Sequence, residues 1–127
     1  MNIVIDTNRY RDFCDGTEEA LGVIRKSSEI FIRFIVIAEL RAGFACGQKG
    51  PENELILTRF LNKPRVKTLY ADDSTTRVYA NLFRQLRTRG TPIPTNDLWI
   101  AALTVQHGLT LFSRDSHFQK LPQIPMI

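Results

Sequence analysis

The sequence predicts a single α/β domain over residues 1–127, a three-layer fold in which a mostly parallel sheet of about five strands lies between helices. Short apolar runs alternate along the chain with longer segments of helical periodicity, the order that produces parallel strands joined by helical crossovers. The run at residues 2–5 is β-branched and uncharged, as in strands that are buried on both faces. A length of 127 residues is enough for one self-sufficient core but not for two.

The first third of the chain contributes two strands, each followed by a helix. Residues 6–8, Asp-Thr-Asn, come directly after the first strand and can equally serve as the cap of a short helix at residues 9–14. A second helix begins at Thr17, because two glutamates follow it where the helix dipole is positive. Residues 29–33 are the second predicted strand, and residues 35–45 are the helix that follows.

The middle of the chain continues the alternation. Residues 47–51 predict a loop, and residues 52–62 form an amphipathic helix. Residues 66–70 are the third strand, and residues 72–74 cap a long helix. The apolar positions of that helix, at helical spacing, are Val78, Tyr79, Leu82, Phe83 and Leu86.

The stretch at residues 93–118 brings two acids to one edge of the sheet. A helix capped by Thr95 or Asn96 carries Asp97 in its first turn, and the strand after the helix ends shortly before Asp115. Because the helix runs antiparallel to that strand, the two acids meet at the carboxyl edge, where open α/β sheets bind ligands. The remaining predicted strands are residues 109–112 and 124–127.

Four carboxylates are candidate catalytic groups and metal ligands: Asp6, Glu39, Asp97 and Asp115. Glu39 stands among apolar residues of its helix. A glutamate there is more often a surface residue, with Arg41 as a neighbour, but the narrow polar side of this helix makes at least partial burial plausible. No lysine or arginine is expected beside the four acids, so their mutual repulsion calls for a bound cation. Oxygen ligands favour Mg²⁺ or Mn²⁺, which can activate water for hydrolysis of a phosphodiester bond.

The overall composition is that of an ordinary globular protein with a modest positive charge. Seventeen Lys and Arg against thirteen Asp and Glu give a net charge of +4, which slightly favours a polyanionic partner. Cys14 and Cys46 have no spacing typical of zinc sites or disulfide frameworks, and we predict buried thiols in a reducing compartment. No signal peptide or membrane span is evident, so a cytoplasmic protein with no membrane partner is expected.

Other hydrolytic and phosphate-handling sites fit the sequence poorly. There is no GxSxG nucleophile motif and no glycine-rich phosphate loop. Aspartyl-phosphate phosphatases need a second aspartate where Asn8 stands, and a receiver domain needs a late lysine that Lys120 is poorly placed to provide. His107 and His117 have no partner that the sequence reveals.

Five short segments carry a resemblance to a known family. They are IDTN at residues 5–8, AELRAG at 38–43, RGTPIPTND at 89–97, IAAL at 100–103 and LTLFSRDSHF at 109–118. Each segment is weak alone, but their order and spacing together are specific. On these segments the chain resembles the PIN-domain ribonucleases and, within them, the VapC toxins of bacterial and archaeal toxin-antitoxin pairs.

The resemblance implies a metal-dependent endoribonuclease that cleaves RNA with metal-activated water. It implies that Asp6, Glu39, Asp97 and Asp115 hold Mg²⁺ or Mn²⁺, and that Thr7, Asn8 and Ser113 hydrogen-bond within that site. It also implies a homodimer that is silenced by a cognate VapB-like antitoxin, whose carboxyl-terminal segment enters the active-site groove.

The chain departs from the family pattern at two places. His117 stands where relatives frequently carry a further acid, which bears on the second metal position. The segment RFIVIAEL lacks the small hydroxyl residue that often precedes the glutamate, so the support of Glu39 differs from that in relatives. Neither departure removes one of the four acids.

Four arginines are candidates for contacts with RNA phosphates: Arg9, Arg11, Arg84 and Arg87. The alternatives are a pairing of Arg9 with Asp12 or Asp15 and an ordinary solvated face for the two later arginines. The alternative function is a non-catalytic PIN-like module that binds RNA. The presence of all four acids favours the enzyme.

Overall fold

The centre of the molecule is a parallel sheet. The computed structural model describes all residues, 1–127, and its strands are β1 (Asn2–Ile5), β2 (Glu29–Arg33), β3 (Val66–Leu69) and β4 (Thr110–Phe112). Their order in the sheet is β3-β2-β1-β4. In register, Val4 of β1 pairs with Phe31 of β2 and with Leu111 of β4. The apolar run at residues 2–5 is therefore a central strand, as predicted.

The fifth predicted strand, at residues 124–127, is not formed. Met126 makes only an isolated parallel bridge to Leu111, through bonds from the Leu111 amide to the Pro125 carbonyl and from the Ile127 amide to the Leu111 carbonyl. Proline has no N–H to donate to a ladder, and Pro125 stands in the middle of this segment. The sheet therefore has four strands.

Six helices and a short 3-10 helix surround the sheet. They are α1 (Thr7–Asp15), α2 (Glu18–Lys26), α3 (Phe34–Cys46), α4 (Gly50–Leu61), α5 (Asp73–Arg89), α6 (Thr95–Gln106) and the 3-10 helix Ser116–Lys120. The helix expected from residue 52 thus begins at Gly50, within the predicted loop. None of the helices is long and apolar enough to cross a membrane.

Two apolar clusters, one on each face of the sheet, establish the three-layer architecture. Ile3 and Ile5 pack with α1 to α4 on one face, and Val4 packs with α5, α6 and the 3-10 helix on the other. This alternation is the two-residue period of a strand that is covered on both sides. The predicted fold class is confirmed.

The helix caps and the cysteines were predicted with mixed success. Asp72 caps α5 in a reciprocal capping box with Thr75, as expected. Helix α6 begins differently: Pro94 is its N-cap residue and no side chain caps it, so the predicted cap by Thr95 or Asn96 is wrong. Asp97 nevertheless lies in the first turn of α6. Both cysteines are exposed, so the expectation of buried thiols is also wrong.

Candidate active site

A cleft of about 500 Å³ opens at the carboxyl edge of the sheet. All four predicted acids line it, together with Thr7, Asn8, Arg11, Ala42 and Ile100. Asp6 directly follows β1, and Asp115 lies three residues beyond β4. Because the strands are parallel, their carboxyl ends share one edge, and the first turn of α6 brings Asp97 to the same place.

Asp6 is held on two sides and is buried. Its Oδ1 accepts a hydrogen bond from the Arg9 amide at 2.9 Å, so it caps α1. Its Oδ2 accepts a hydrogen bond from the Ser113 hydroxyl, and the Ser113 oxygen accepts one from the Asp115 amide at 3.0 Å. Ser113 thus joins the loop after β4 to the end of β1. Asp6 thus caps α1, as one of the two alternatives predicted, and its carboxylate also lines the cleft.

His117 bridges the other two acids of the sheet edge. Its Nδ1 lies 2.8 Å from Asp97 Oδ2 and 3.0 Å from Asp115 Oδ1. The Asp115 carboxylate also accepts from the His117 amide at 2.9 Å and caps the 3-10 helix. One ligand atom from each of these three residues lies within 4.8 Å of the others. The sequence revealed no partner for His117, and the structure gives it two.

The electrostatic environment of Asp97 favours its protonated form. Burial raises the pKa of Asp97 above its ordinary value, and the charge of Asp115 acts in the same direction. The hydrogen bond with His117 opposes that shift and lowers the pKa. Asp97 is thus a carboxylate whose ionisation is disfavoured in the folded chain and would be favoured by an added cation.

Glu39 lies on the exposed side of the cleft. Its Oε2 accepts a hydrogen bond from the Thr7 hydroxyl at 2.9 Å. The side chain is exposed, so the surface alternative is confirmed and the predicted partial burial is wrong. Helix α3 is apolar on most of its surface, and a carboxylate on such a helix keeps its hydration by facing the solvent-filled cleft. Thr7 provides the hydroxyl that the segment before Glu39 lacks.

A buried cation, Arg33, lies close to the acids. Its position there was not predicted from the sequence. Arg33 is the last residue of β2 and has no exposed surface. Burial lowers the pKa of Arg33 to about 10, whereas the charges of Glu39, Asp6 and Asp97 raise it. The expectation that no Lys or Arg is near the acids is therefore wrong. The available signal was a single charge inside the apolar run at residues 30–38.

The four arginines proposed for RNA contacts have different environments. Arg9 is buried, and its guanidinium pairs with Asp12 at 3.2 Å and Glu19 at 3.0 Å. It also lies 4.2 Å from the centre of the Phe112 ring. A guanidinium held in this way is poorly placed to reach phosphates, and the alternative pairing of Arg9 with Asp12 is confirmed.

The other three arginines are exposed. Arg11 lines the cleft itself, whereas Arg84 and Arg87 lie on the surface of α5. Arg11 is consequently the arginine best placed to meet a phosphate beside the acids.

The donor set of the cleft fits a divalent metal ion. Carboxylate oxygens dominate it, and a single imidazole nitrogen is close enough to join them. Hard ions such as Mg²⁺ and Mn²⁺ take oxygen ligands, and an imidazole donor is better tolerated by Mn²⁺ than by Mg²⁺. The chemistry of the residues is thus compatible with the metal that the sequence implied.

Comparison with known proteins shows which family this sequence resembles. The pattern of the PIN domain matches residues 3–124. Ribonuclease VapC2 of Rickettsia felis is 30% identical over 111 residues, which is 87% of this chain and 81% of that protein. Ribonuclease VapC4 of Mycobacterium tuberculosis is 29% identical over 97 residues, which is 76% of this chain and 74% of that protein.

A solved structure gives the same result in three dimensions. The crystal structure of VapBC2 from Rickettsia felis, bound to a DNA fragment from their promoter, superposes with a TM-score of 0.84. The two chains are 27% identical, and the match covers 100% of this chain and 98% of that one.

Proposed function

The chain belongs to the PIN-domain family and, within it, to the VapC ribonucleases, and on this basis we propose that it is a metal-dependent endoribonuclease and the toxin of a toxin-antitoxin pair. The observation that carries the proposal is the convergence of Asp6, Glu39, Asp97 and Asp115 on one open cleft. The substrate is RNA, and the reaction is hydrolysis of its phosphodiester bonds.

The metal is Mg²⁺ or Mn²⁺, held by the same four acids. Asp97 and Asp115 provide oxygen donors within 4.8 Å of each other, and His117 can add its ring nitrogen. When bound, such an ion supplies an activated water and stabilises charge on the oxygens of the phosphodiester. Mn²⁺ should serve at least as well as Mg²⁺, because the imidazole nitrogen of His117 lies close enough to join the oxygen donors.

The protein side chains position the reacting groups. Ser113 and the amino end of α1 fix the Asp6 carboxylate by hydrogen bonds, and Thr7 fixes the exposed Glu39. Such outer contacts orient ligands and are typically worth 10–100-fold, as an order of magnitude, in metal affinity or activity. Asn8 lines the cleft beside them. Arg11 is placed to pair with a phosphate next to the scissile one.

The partners of the proposed toxin are a VapB-like antitoxin and a second copy of the chain. Exposed apolar side chains support the homodimer: Phe83 on α5 is 48% exposed, beside a groove that includes Ile93 and Leu98. Patches of this kind are common at protein interfaces. The proposed action on cellular RNA places the protein in the cytoplasm.

Metal-dependent cleavage tests the proposal directly. Purified chain, freed of antitoxin, is incubated with total cellular RNA in Mn²⁺, in Mg²⁺ or in chelator, with Asp97→Asn alongside. Asp73→Asn is the matched control, because Asp73 is an exposed acid on α5 that pairs only with Arg77. We expect cleavage that needs metal, is unchanged in Asp73→Asn and falls to background in Asp97→Asn.

Two results would contradict the proposal. Cleavage that persists in Asp97→Asn would remove Asp97 from the site. RNA binding without cleavage under every metal condition would favour the non-catalytic RNA-binding module.

A further inference from the structure

Arg33 is an unusual residue for the position that it occupies. It ends a central strand, has no exposed surface, and all three of its guanidinium nitrogens lack a hydrogen-bond partner within the protein. An isolated charge in such a place is strongly unfavourable. Something in its surroundings must compensate for it.

The other buried arginine shows what ordinary compensation looks like. Arg9 is also buried, but its guanidinium makes ion pairs with Asp12 and Glu19 and lies over the Phe112 ring. Arg33 makes no such pair. Ile32 pairs with Ile5, so Arg33 lies beside Asp6 at the carboxyl edge of the sheet, and it directly precedes α3, which carries Glu39. The charges of Glu39, Asp6 and Asp97, three of the four acids of the cleft, act on it. Its compensation is therefore the field of the cleft as a whole.

We propose that Arg33 is a fixed counter-cation of the carboxylate cluster, which holds the metal-free cleft together and weakens its binding of divalent metal. This inference rests on the proposed metal site. In the free protein the guanidinium offsets the mutual repulsion of the acids from below. When a divalent ion enters, it meets a positive charge that cannot move away, because Arg33 has no exposed surface.

This role follows from the charges of three groups: the acids, Arg33 and an incoming divalent cation. Acids that share a site repel each other unless positive charge is nearby, and Arg33 supplies one unit of that charge permanently. The same unit repels an incoming cation. With Arg33 present, the cleft remains folded without metal. It also releases metal more readily than the same acids would in the absence of Arg33. Arg33 acts through the acids and is a positioning residue, not a catalytic one.

Variants at position 33 separate charge from packing. Arg33→Met removes the charge and keeps an unbranched side chain, Arg33→Gln is a second neutral variant, and Arg33→Lys keeps the charge. Arg77→Met is the control for loss of an arginine elsewhere, since Arg77 is exposed and pairs only with Asp73. Each protein is titrated with Mn²⁺ by calorimetry, and its unfolding temperature is measured in chelator and in Mn²⁺.

We expect Arg33→Met and Arg33→Gln to bind Mn²⁺ about tenfold more tightly than wild type or better, as expected for one unit charge within several ångströms of a divalent ion. Their unfolding temperatures should rise more on addition of Mn²⁺ than that of wild type. Arg33→Lys and Arg77→Met should resemble wild type in both measurements. A neutral variant that is unfolded in chelator but folded in Mn²⁺ would also support the inference, since metal would then replace the missing charge.

Equal Mn²⁺ affinity in wild type and both neutral variants would overturn the inference, as would an Arg33→Lys that behaves like Arg33→Met. Neutral variants that are unfolded with and without Mn²⁺ would also overturn it, because Arg33 would then serve packing alone. These failures differ from failure of the proposed function. If Asp97→Asn loses metal-dependent cleavage but substitutions at position 33 do not change the affinity for Mn²⁺, only the counter-cation inference is wrong. If no variant binds Mn²⁺, both this inference and the proposed metal-dependent function are wrong.

Discussion

The two sides of the carboxylate cleft are held in different ways. The inner wall, made of Asp6, Asp115 and Asp97, is linked through Ser113 and His117, and Asp6 and Asp115 also accept hydrogen bonds from backbone amides at helix starts. The outer rim consists of Glu39 and Thr7, which contact each other and face solvent. The acids of the inner wall therefore contribute to the stability of the fold as well as to the candidate site. Glu39 contributes to the site alone.

The reason for the difference lies in where each acid enters the chain. Asp6 lies between β1 and α1, so its carboxylate both accepts a hydrogen bond from a helix amide and contacts Ser113 just after the neighbouring strand β4. Glu39 lies in the second turn of α3, where the backbone groups already have hydrogen-bond partners within the helix. Its side chain is therefore not needed to cap the helix. Mutations on the two sides should consequently separate stability from activity.

Removal of an acid from each side gives the largest contrast. Asp6→Ala should lower the free energy of unfolding by about 2–4 kcal/mol, because it loses a helix cap and leaves the Ser113 hydroxyl without its buried acceptor. Glu39→Ala should change it by no more than about 0.5 kcal/mol, as is usual for an exposed position. Urea unfolding of both variants in chelator measures the difference.

Both variants should nevertheless lose metal-dependent cleavage. Asp6→Asn is the control for Asp6→Ala, because an amide keeps an acceptor for the cap and should retain more stability. Equal losses of stability for Asp6→Ala and Glu39→Ala would show that the two sides of the cleft do not differ in this way.

The inner wall was largely predictable, because topology determines it. Once the strands are parallel, residues just past β1 and β4 must share an edge, and the first turn of α6 returns to it. The predicted meeting of Asp97 and Asp115 needed no knowledge of side-chain packing. Their contact through His117 did need it, since the 3-10 helix that carries His117 was not predicted.

The exposure of Glu39 and the position of Arg33 were not predictable from periodicity. Helix α3 has apolar residues around most of its circumference, so the sequence does not identify which side faces the sheet. Arg33 ends a strand, and a long side chain at such a place can turn either to solvent or inward. Tertiary packing decides both, and in this chain it brings a cation under the acids.

Arg9 and Arg11, which follow Asp6, should also differ in whether they contribute to stability or to RNA binding. Arg9→Ala should lower the free energy of unfolding by about 2–3 kcal/mol, because it removes a buried cation over an aromatic ring and its ion pairs. Asp12 keeps a second partner in Arg114, at 3.1 Å, which limits the loss. Arg11→Ala should change stability by no more than about 0.5 kcal/mol.

RNA binding should respond in the opposite order. Arg11→Ala should weaken RNA binding and reduce the slope of log affinity against log salt by about one. Arg9→Ala should leave that slope unchanged under conditions in which it is folded. Binding is measured by fluorescence anisotropy with a labelled RNA in chelator, so that cleavage does not interfere. A lower slope for Arg9→Ala would return Arg9 to the RNA-binding set.

The smallest expected effect concerns the charge of Asp97 in the absence of metal. Burial raises the pKa of Asp97 in the folded chain above its ordinary value of 3.8. Between the unfolded and folded pKa values, the folded state holds more protons than the unfolded state, so this carboxyl makes the free energy of unfolding fall as pH rises. Asp97→Asn cannot lose that proton, and its stability should not show this contribution.

Relative to wild type, Asp97→Asn should therefore gain stability in chelator as pH rises from the ordinary pKa of 3.8 through the raised pKa of the folded chain, and keep the gain at higher pH. Thermal unfolding of both proteins across this range measures the change, and Asp73→Asn serves as the control for an exposed acid. The hydrogen bond with His117 opposes the shift, so the gain should be larger in a His117→Ala background. A gain that does not depend on pH would mean that the variant relieves packing strain at the inner wall rather than repulsion between its acids.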